Sequence, residues 1–257
     1  MADETIKQNV KDKYGKVARG EIKLDELTSC GCSCGDSCST LNMASRYEDA
    51  DRNAIPEGAD LGLGCGTPVA FAELKEGQTV LDLGSGAGID VFVAANYVGP
   101  AGKVIGVDMT VEMIQKAKEN AKKINAVNVE FRFGEIESLP VGGNMIDRVI
   151  SNCVINLVPD KEKAFSEIHR VLKPGGRFII SDIVVDGDIT EKERNDASLW
   201  ANCISGALKR DEYLAIIKKT GFKDIKVVSE KRYDYNLEKG AGLFSITVVG
   251  TKGSCCG

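Results

Sequence analysis

Histidine is nearly missing from this chain: there is one among 257 residues, His169. Triads and metal centres built on imidazole therefore have a single candidate, and any soft-metal site must rely chiefly on thiolates. Basic excess is missing as well, since 33 Lys and Arg stand against 38 Asp and Glu for a formal charge of −5. A phosphate backbone finds no electrostatic footprint here, so no nucleic-acid substrate is expected. Nowhere does the chain show the run of about 18 uncharged apolar residues that a membrane-crossing helix requires. The opening stretch, MADETIKQNVKDKYGKVARGE, is charged throughout and holds no apolar signal-peptide core. A cytoplasmic protein with no membrane partner is the expectation.

What the chain has in plenty is cysteine. Nine cysteines in a reducing compartment point to catalysis, metal binding or inert core packing rather than to structural disulfides. Six lie towards the ends, Cys30, Cys32, Cys34 and Cys38 as C-x-C-x-C-x3-C and Cys255-Cys256 in the tail. Neither group has the paired C-x2-C spacing of a zinc ribbon or finger. The other three, Cys65, Cys153 and Cys203, are far apart in sequence.

Between the ends, 43% hydrophobic residues suffice for one large α/β domain with appendages. From residue 79, short β-branched runs alternate with helical patterns: TVLDLG, GIDVFVAANYV, KVIGVD, VEMIQKAKENAKKI and VEFRFG. That rhythm predicts a parallel sheet with crossover helices. DRVISN, the helix KEKAFSEIHRVL, a turn at 173–176 and the almost unbroken apolar strand RFIISDIV continue it. A polar stretch at 186–195, a helix near 211–220 and the strands DIKVVSEK and FSITVVGT then complete seven strands. The expected division is a cap with its Cys-rich segment at 1–60, a nucleotide-binding core at 61–185, and a part at 186–257 that finishes the sheet.

The first strand runs into Asp82-Leu83-Gly84-Ser85-Gly86-Ala87-Gly88, where residues without side chains let the backbone turn sharply and approach a ligand. A dinucleotide fingerprint would want glycine at the sixth place, which is Ile89. Glycines at 84, 86 and 88, led by an acid two residues earlier, instead resemble motif I of class I S-adenosylmethionine methyltransferases. The resemblance implies a Rossmann-like, mostly parallel seven-stranded sheet with helices on both faces, and S-adenosylmethionine bound by Asp82, Gly84, Ser85, Gly86 and Gly88. Asp108 ends the strand VIGVD, beside Met109, where a carboxylate can accept bonds from both ribose hydroxyls; the alternative is a cap for the helix starting at Thr110. In the same resemblance Ile136 and Glu137 supply an apolar wall and a carboxylate for adenine, the alternative being an exposed turn of solvated acids.

After the fourth strand comes Ser151-Asn152-Cys153-Val154-Ile155-Asn156-Leu157-Val158-Pro159-Asp160-Lys161. This string is similar to the arsenite methyltransferase family, as are Gly64-Cys65-Gly66-Thr67-Pro68, Val107-Asp108-Met109-Thr110, the GEIE turn, LKPGG, Ser181-Asp182-Ile183 and Cys203-Ile204-Ser205-Gly206. The likeness implies that Cys65, Cys153 and Cys203 hold trivalent arsenic, free or as a thiol conjugate, with Asn152 at the cofactor. Trivalent arsenic is thiophilic, takes three sulfurs in a pyramid and keeps a nucleophilic lone pair. With bonds near the ~2.3 Å of Zn–S, the three sulfurs must converge within roughly 4 Å. The plainer alternative for each thiol is a small apolar core residue. Cys65, between glycines and before a proline, suits a loop near an open site, whereas Cys203 suits a helical face beside Trp200. Glutathione or thioredoxin is expected as reductant, and a monomer as the assembly. The end cysteines are read as arsenite-capture or thiol-relay segments, against a metal-scavenging tail without catalytic duty. His169 reads as an exposed or capping residue, and Tyr14 as part of an N-terminal element over the cofactor or as a staple for a cap helix. The rival functions are methylation of a small organic acceptor and non-enzymatic metalloid binding.

Overall fold

The computed structural model describes residues 3–22, 47–196, 199–200, 203–233, 235 and 237–254. Seven strands form one sheet: β1 (Thr79–Leu83), β2 (Lys103–Asp108), β3 (Val129–Phe133), β4 (Ile146–Asn152), β5 (Leu172–Asp186), β6 (Phe222–Tyr233) and β7 (Gly242–Lys252). Their order is β3-β2-β1-β4-β5-β7-β6, parallel from β3 to β5, with β7 antiparallel to both its neighbours. This is the mostly parallel seven-stranded α/β fold that the sequence predicts. Strand order reverses between β1 and β4, so the loops leaving these two strands diverge and open a crevice at their carboxyl ends.

Seven described α-helices of four or more residues accompany the sheet, and six of them carry labels in chain order. The first is α1 (Asp3–Ala18), and a short α2 (Asp49–Arg52) follows. Then come α3 (Ile89–Val98), α4 (Val111–Lys123) and α5 (Lys161–Val171), the crossovers of the parallel strands. The last long one is α6 (Arg210–Lys219), and a single turn at Glu191–Arg194 precedes it. That turn is closed by a reciprocal pair of bonds between Thr190 and Glu193, which satisfies two orphan amides at once.

Side chains on β1 show how both faces are used. Leu81 and Leu83 enter one apolar cluster with Phe165, Phe178 and Tyr213, while Val80 enters the other with Val91, Phe92 and Val98. The alternation follows from the two-residue period of a strand. Helix α3 is buried along most of its residues, which matches its nearly polar-free sequence IDVFVAANYV. The turn expected at 173–176 lies inside β5: Leu172 pairs with Ile146, pairing resumes at Arg177 with Arg148, and Gly175 at φ 78° takes up the bend. A bulge and a turn thus share one strand. Among the described residues, no helix is long and apolar enough to cross a membrane.

Candidate active site

The glycine loop occupies one side of the crevice. Gly84, Gly86 and Gly88 all have positive φ, at 63°, 51° and 100°. A Cβ on Gly84 would come within 2.5 Å of both Val154 methyls, whereas one on Gly86 would meet nothing nearer than Met113 Sδ at 3.9 Å. Gly84 therefore permits the loop after β1 to touch the loop after β4, and Gly86 leaves a face open. Asp108 braces this loop, since its Oδ2 accepts from Gly86 N at 3.0 Å and its Oδ1 from Thr110 N at 2.8 Å. The ribose and helix-start readings thus meet in one side chain, each oxygen keeping a second lone pair. Burial raises the pKa of Asp108 against these backbone donors. Burial likewise lifts Asp82 well above the carboxylate range, with Asp90 and Asp108 adding to the shift. Ser85 Oγ is buried without a hydrogen-bond partner.

Helix α1 covers the neighbouring turn. Ile136 and Glu137 are both buried, and Lys7 Nζ stands 3.0 Å from Glu137 Oε1 and 2.8 Å from Glu135 Oε2. Lys11 adds a 2.9 Å bond to Glu135. The alternative of an exposed turn of solvated acids is overturned: the acids are covered and ion-paired. Hydrogen bonds from Lys7 and Lys11 lower the pKa of Glu135. A cleft of about 300 Å³ remains between α1 and the start of α4, floored by Met109, Thr110 and Phe133.

The same helix reaches the thiols. Tyr14 is partly buried, and its side chain hydrogen-bonds to Cys203. Burial pushes its phenol pKa well up, and the charges of Cys203, Cys153 and Asp108 act in the same direction. Val10 and Tyr14 pack in the apolar cluster that holds Cys65 and Cys203, with Cys153 against it.

Cys153 is the middle member of the three thiols, its side chain interacting with those of both Cys203 and Cys65. Those two contacts, the one to Cys203 foremost, raise its pKa well above that of a free thiol; burial raises that of Cys65. The Cys203 thiol also donates to the Cys153 carbonyl at 3.0 Å. Residues 153 and 203 have φ of 60° and 63°, a left-handed conformation that a side chain adopts at a cost of about 1–3 kcal/mol. Cys65 lies on a loop, but it is only 3% exposed and packed in an apolar cluster, not placed beside an open site as its glycine neighbours suggest. Cys203 is in a turn whose amide bonds to Trp200 O, not on a helical face. Among the described residues, no group of His, Cys, Asp or Glu side chains is arranged to hold a metal ion as it stands. The six end cysteines lie outside the described residues.

Polar residues inside apolar runs hold the arms of this cluster. Asn152 Oδ1 accepts from the amides of Cys65 and Gly66 at 2.9 and 3.1 Å, while its Nδ2 donates to Gly66 O and to Asp90 Oδ2. Asp90 is raised to about 6 by burial, opposed by bonds from Tyr47 and Asn152. Ser245 and Tyr233, from the β6–β7 hairpin, donate to Cys65 O at 2.8 and 3.2 Å. Beneath Cys203, Asp182 accepts from Ile183 N, Asn156 N and Tyr213 Oη, and burial raises it to about 7. Burial also lowers Lys161 to about 8, where its ammonium bonds to Val158 O and faces the Trp200 ring. Asp90, Asn156 and Lys161 were not singled out by sequence reasoning. For Asp90 and Asn156 the signal was available, since each is polar within an otherwise apolar stretch, IDVFVAA or CVINLV, whereas Lys161 stands in the polar run PDKEK. His169 packs edge-on against Phe222, and its carbonyl accepts from Lys252 at the far end of β7, opposite the crevice.

The methyltransferase-domain family matches residues 74–221. The arsenite methyltransferase of Halobacterium salinarum is 40% identical over 262 aligned positions, covering 97% of this chain and 67% of that protein. The human arsenite methyltransferase is 34% identical, covering 89% of this chain and 61% of its own length. The crystal structure of an arsenic(III) S-adenosylmethionine methyltransferase from Chlamydomonas reinhardtii superposes with a TM-score of 0.68 at 33% identity, over 83% of this chain and 73% of that one. The chain spans about two thirds of the length of these curated relatives.

Proposed function

From the premise that this chain belongs to the arsenite methyltransferase family, we propose that it methylates trivalent arsenic held by Cys65, Cys153 and Cys203, with S-adenosylmethionine as donor. One observation carries the reading: Cys153 reaches both other thiols while its neighbour Val154 lies against Gly84 of the nucleotide loop. The segment that carries the central thiol is therefore in van der Waals contact with the glycine loop.

The chain's residues fit the donor. The open face of Gly86, the unpartnered Ser85 hydroxyl and the buried acids Asp82 and Asp108 suit a nucleoside with a charged amino-acid tail. Gly84, Gly86, Gly88, Met109 and Asn152 would line it, Asp108 would take its ribose, and Ile136 with Glu137 its adenine. When bound, S-adenosylmethionine supplies an electrophilic methyl on a sulfonium. No general base is needed, because an arsenic lone pair and not an O–H or N–H bond is the nucleophile. The fold's contribution is approach and alignment, worth up to about 7–11 kcal/mol in favourable cases. Methylation formally oxidises arsenic by two electrons. Two thiolates return them by forming a disulfide, which glutathione or thioredoxin then reduces. Cysteines 30, 32, 34, 38, 255 and 256 are proposed to capture arsenite or relay thiols, and the enzyme to act as a cytoplasmic monomer.

Incubation with arsenite, methyl-labelled S-adenosylmethionine and thiol should yield labelled methylarsenicals by chromatographic speciation. Cys153→Ser should lower the rate about 100-fold or more, as loss of a central ligand demands. Label absent from arsenic with the native chain, or a native rate in the variant, would refute the assignment.

A further inference from the structure

Asn156 has no part in the chemistry above, yet it is fully buried in the apolar run Val154–Val158. Its carboxamide Nδ2 donates to Ile183 O at 2.6 Å and to Cys203 O at 3.2 Å. Two carbonyls on one side fix the orientation of the amide, since an oxygen there would face two acceptors. Its Oδ1 is left buried without a partner. A residue serving only to fill space here would be apolar, like its neighbours Ile155 and Leu157, and would avoid stranding an acceptor.

The backbone of Asn156 is held as firmly as its side chain. Its amide donates to Asp182 Oδ2 at 3.1 Å. A Cβ on Gly206 would overlap its carbonyl oxygen and crowd the Trp200 ring, so glycine at 206 is what lets the Cys203 segment close onto it. Asn156 is therefore the point at which the loop after β4, three residues beyond Cys153, is tied to the segment carrying Cys203. At the other end of the same loop, Asn152 ties in the Cys65 segment. Two asparagines four residues apart thus flank the central thiol, each holding one outer arm.

We propose that Asn156 is a positioning residue for the metalloid substrate: its carboxamide sets the distance of the Cys203 arm from Cys153, so that three sulfurs rather than two reach one arsenic atom. This rests on the arsenite reading above. The left-handed backbone at Cys153 and Cys203 supplies the reason a tether is needed, because both strained residues relax if the segments part. The Cys203 thiol would swing away from the Cys153 carbonyl that it now meets, leaving a two-sulfur site.

The test is calorimetric titration of the purified full chain with arsenite and, separately, with S-adenosylmethionine. Asn156→Leu should weaken arsenite by more than about tenfold, the scale of lost outer contacts to a ligand. S-adenosylmethionine should change by less than about twofold, and in a Cys203→Ser background Asn156→Leu should add no more than that to the arsenite loss. Asn156→Ser, whose single hydroxyl hydrogen cannot bridge two carbonyls, should repeat the pattern if the leucine variant fails to fold. Native arsenite affinity in both variants would overturn the proposal. So would an arsenite loss of equal size with and without Cys203, or a parallel loss of cofactor binding, since either marks general destabilisation. A native chain that binds S-adenosylmethionine but no arsenite would instead remove the functional reading on which the proposal rests.

Discussion

The two halves of the crevice are built by different means. On the β1–β2 side the backbone does the shaping: three glycines with positive φ curve a loop, and one carboxylate braces it through two main-chain amides. On the β4 side, side chains from segments more than 130 residues apart in sequence converge, and tethers at Asn152, Asn156 and Ser245 hold the arms. A loop made by backbone geometry announces itself in local sequence. A cluster made by convergence exists only once the sheet has formed.

The comparison is tested first where the halves touch. Gly84→Ala drives a methyl into Val154 at a left-handed position, so it should weaken S-adenosylmethionine and arsenite together, each by tenfold or more on the order of the ~1–2 kcal/mol of αL strain plus the clash. Gly86→Ala, with open space around it, should impair cofactor binding alone. Equal loss of arsenite affinity in both variants, measured by calorimetry, would deny that the halves are built separately.

A second prediction concerns pH and belongs to the thiol side. Asp182 is held at about 7, above the ordinary carboxylate value, because burial disfavours its charge. Its contribution to stability is therefore complete below about pH 4 and is lost as pH rises to about 7. Lys161, lowered to about 8 by burial, acts in the opposite sense, losing stability as pH falls from its ordinary value through 8. Asp182→Asn removes the first effect and deepens the second, because the Asp182 charge holds the Lys161 pKa up. The melting temperature of the native chain should thus fall relative to the variant between pH 4 and 7; parallel curves across that range would contradict the assignment.

The smallest effect should come from Lys11, whose bond to Glu135 is about one third open to solvent. Lys11→Ala should raise the dissociation constant for S-adenosylmethionine about two- to threefold at low salt, in keeping with ~0.2–1 kcal/mol for exposed pairs. The difference should vanish at high ionic strength. A salt-independent change would show that the helix is held by packing alone.

The sheet and the glycine loop were legible from periodicity and spacing because both are local properties. Seven strands and the position of Asp108 follow from residues within one element of each other, whereas the antiparallel insertion of β7 between β5 and β6 is set by long-range pairing. The thiols were legible only through resemblance, and their surroundings less so. Cys65 reads as a loop residue and is one, but its burial depends on Ser245 and Tyr233, more than 165 positions away. Helix α1 similarly looked like a polar segment; its cover over Glu137 and Cys203 is a tertiary fact, carried by Lys7 and Tyr14 on one face.

Strand β7 enters the sheet last in sequence yet lies between β5 and β6, and its Ser245 supports the carbonyl of a cysteine near the beginning. Of the contacts that gather the thiols, those of Asn152 and Asn156 are encoded before Cys203, and only the support of the Cys65 carbonyl waits for the closing hairpin. Until that hairpin emerges, the Cys65 carbonyl lacks its donors from Ser245 and Tyr233 while Asn156 can already join the other two arms, so the arm encoded first is the one completed last.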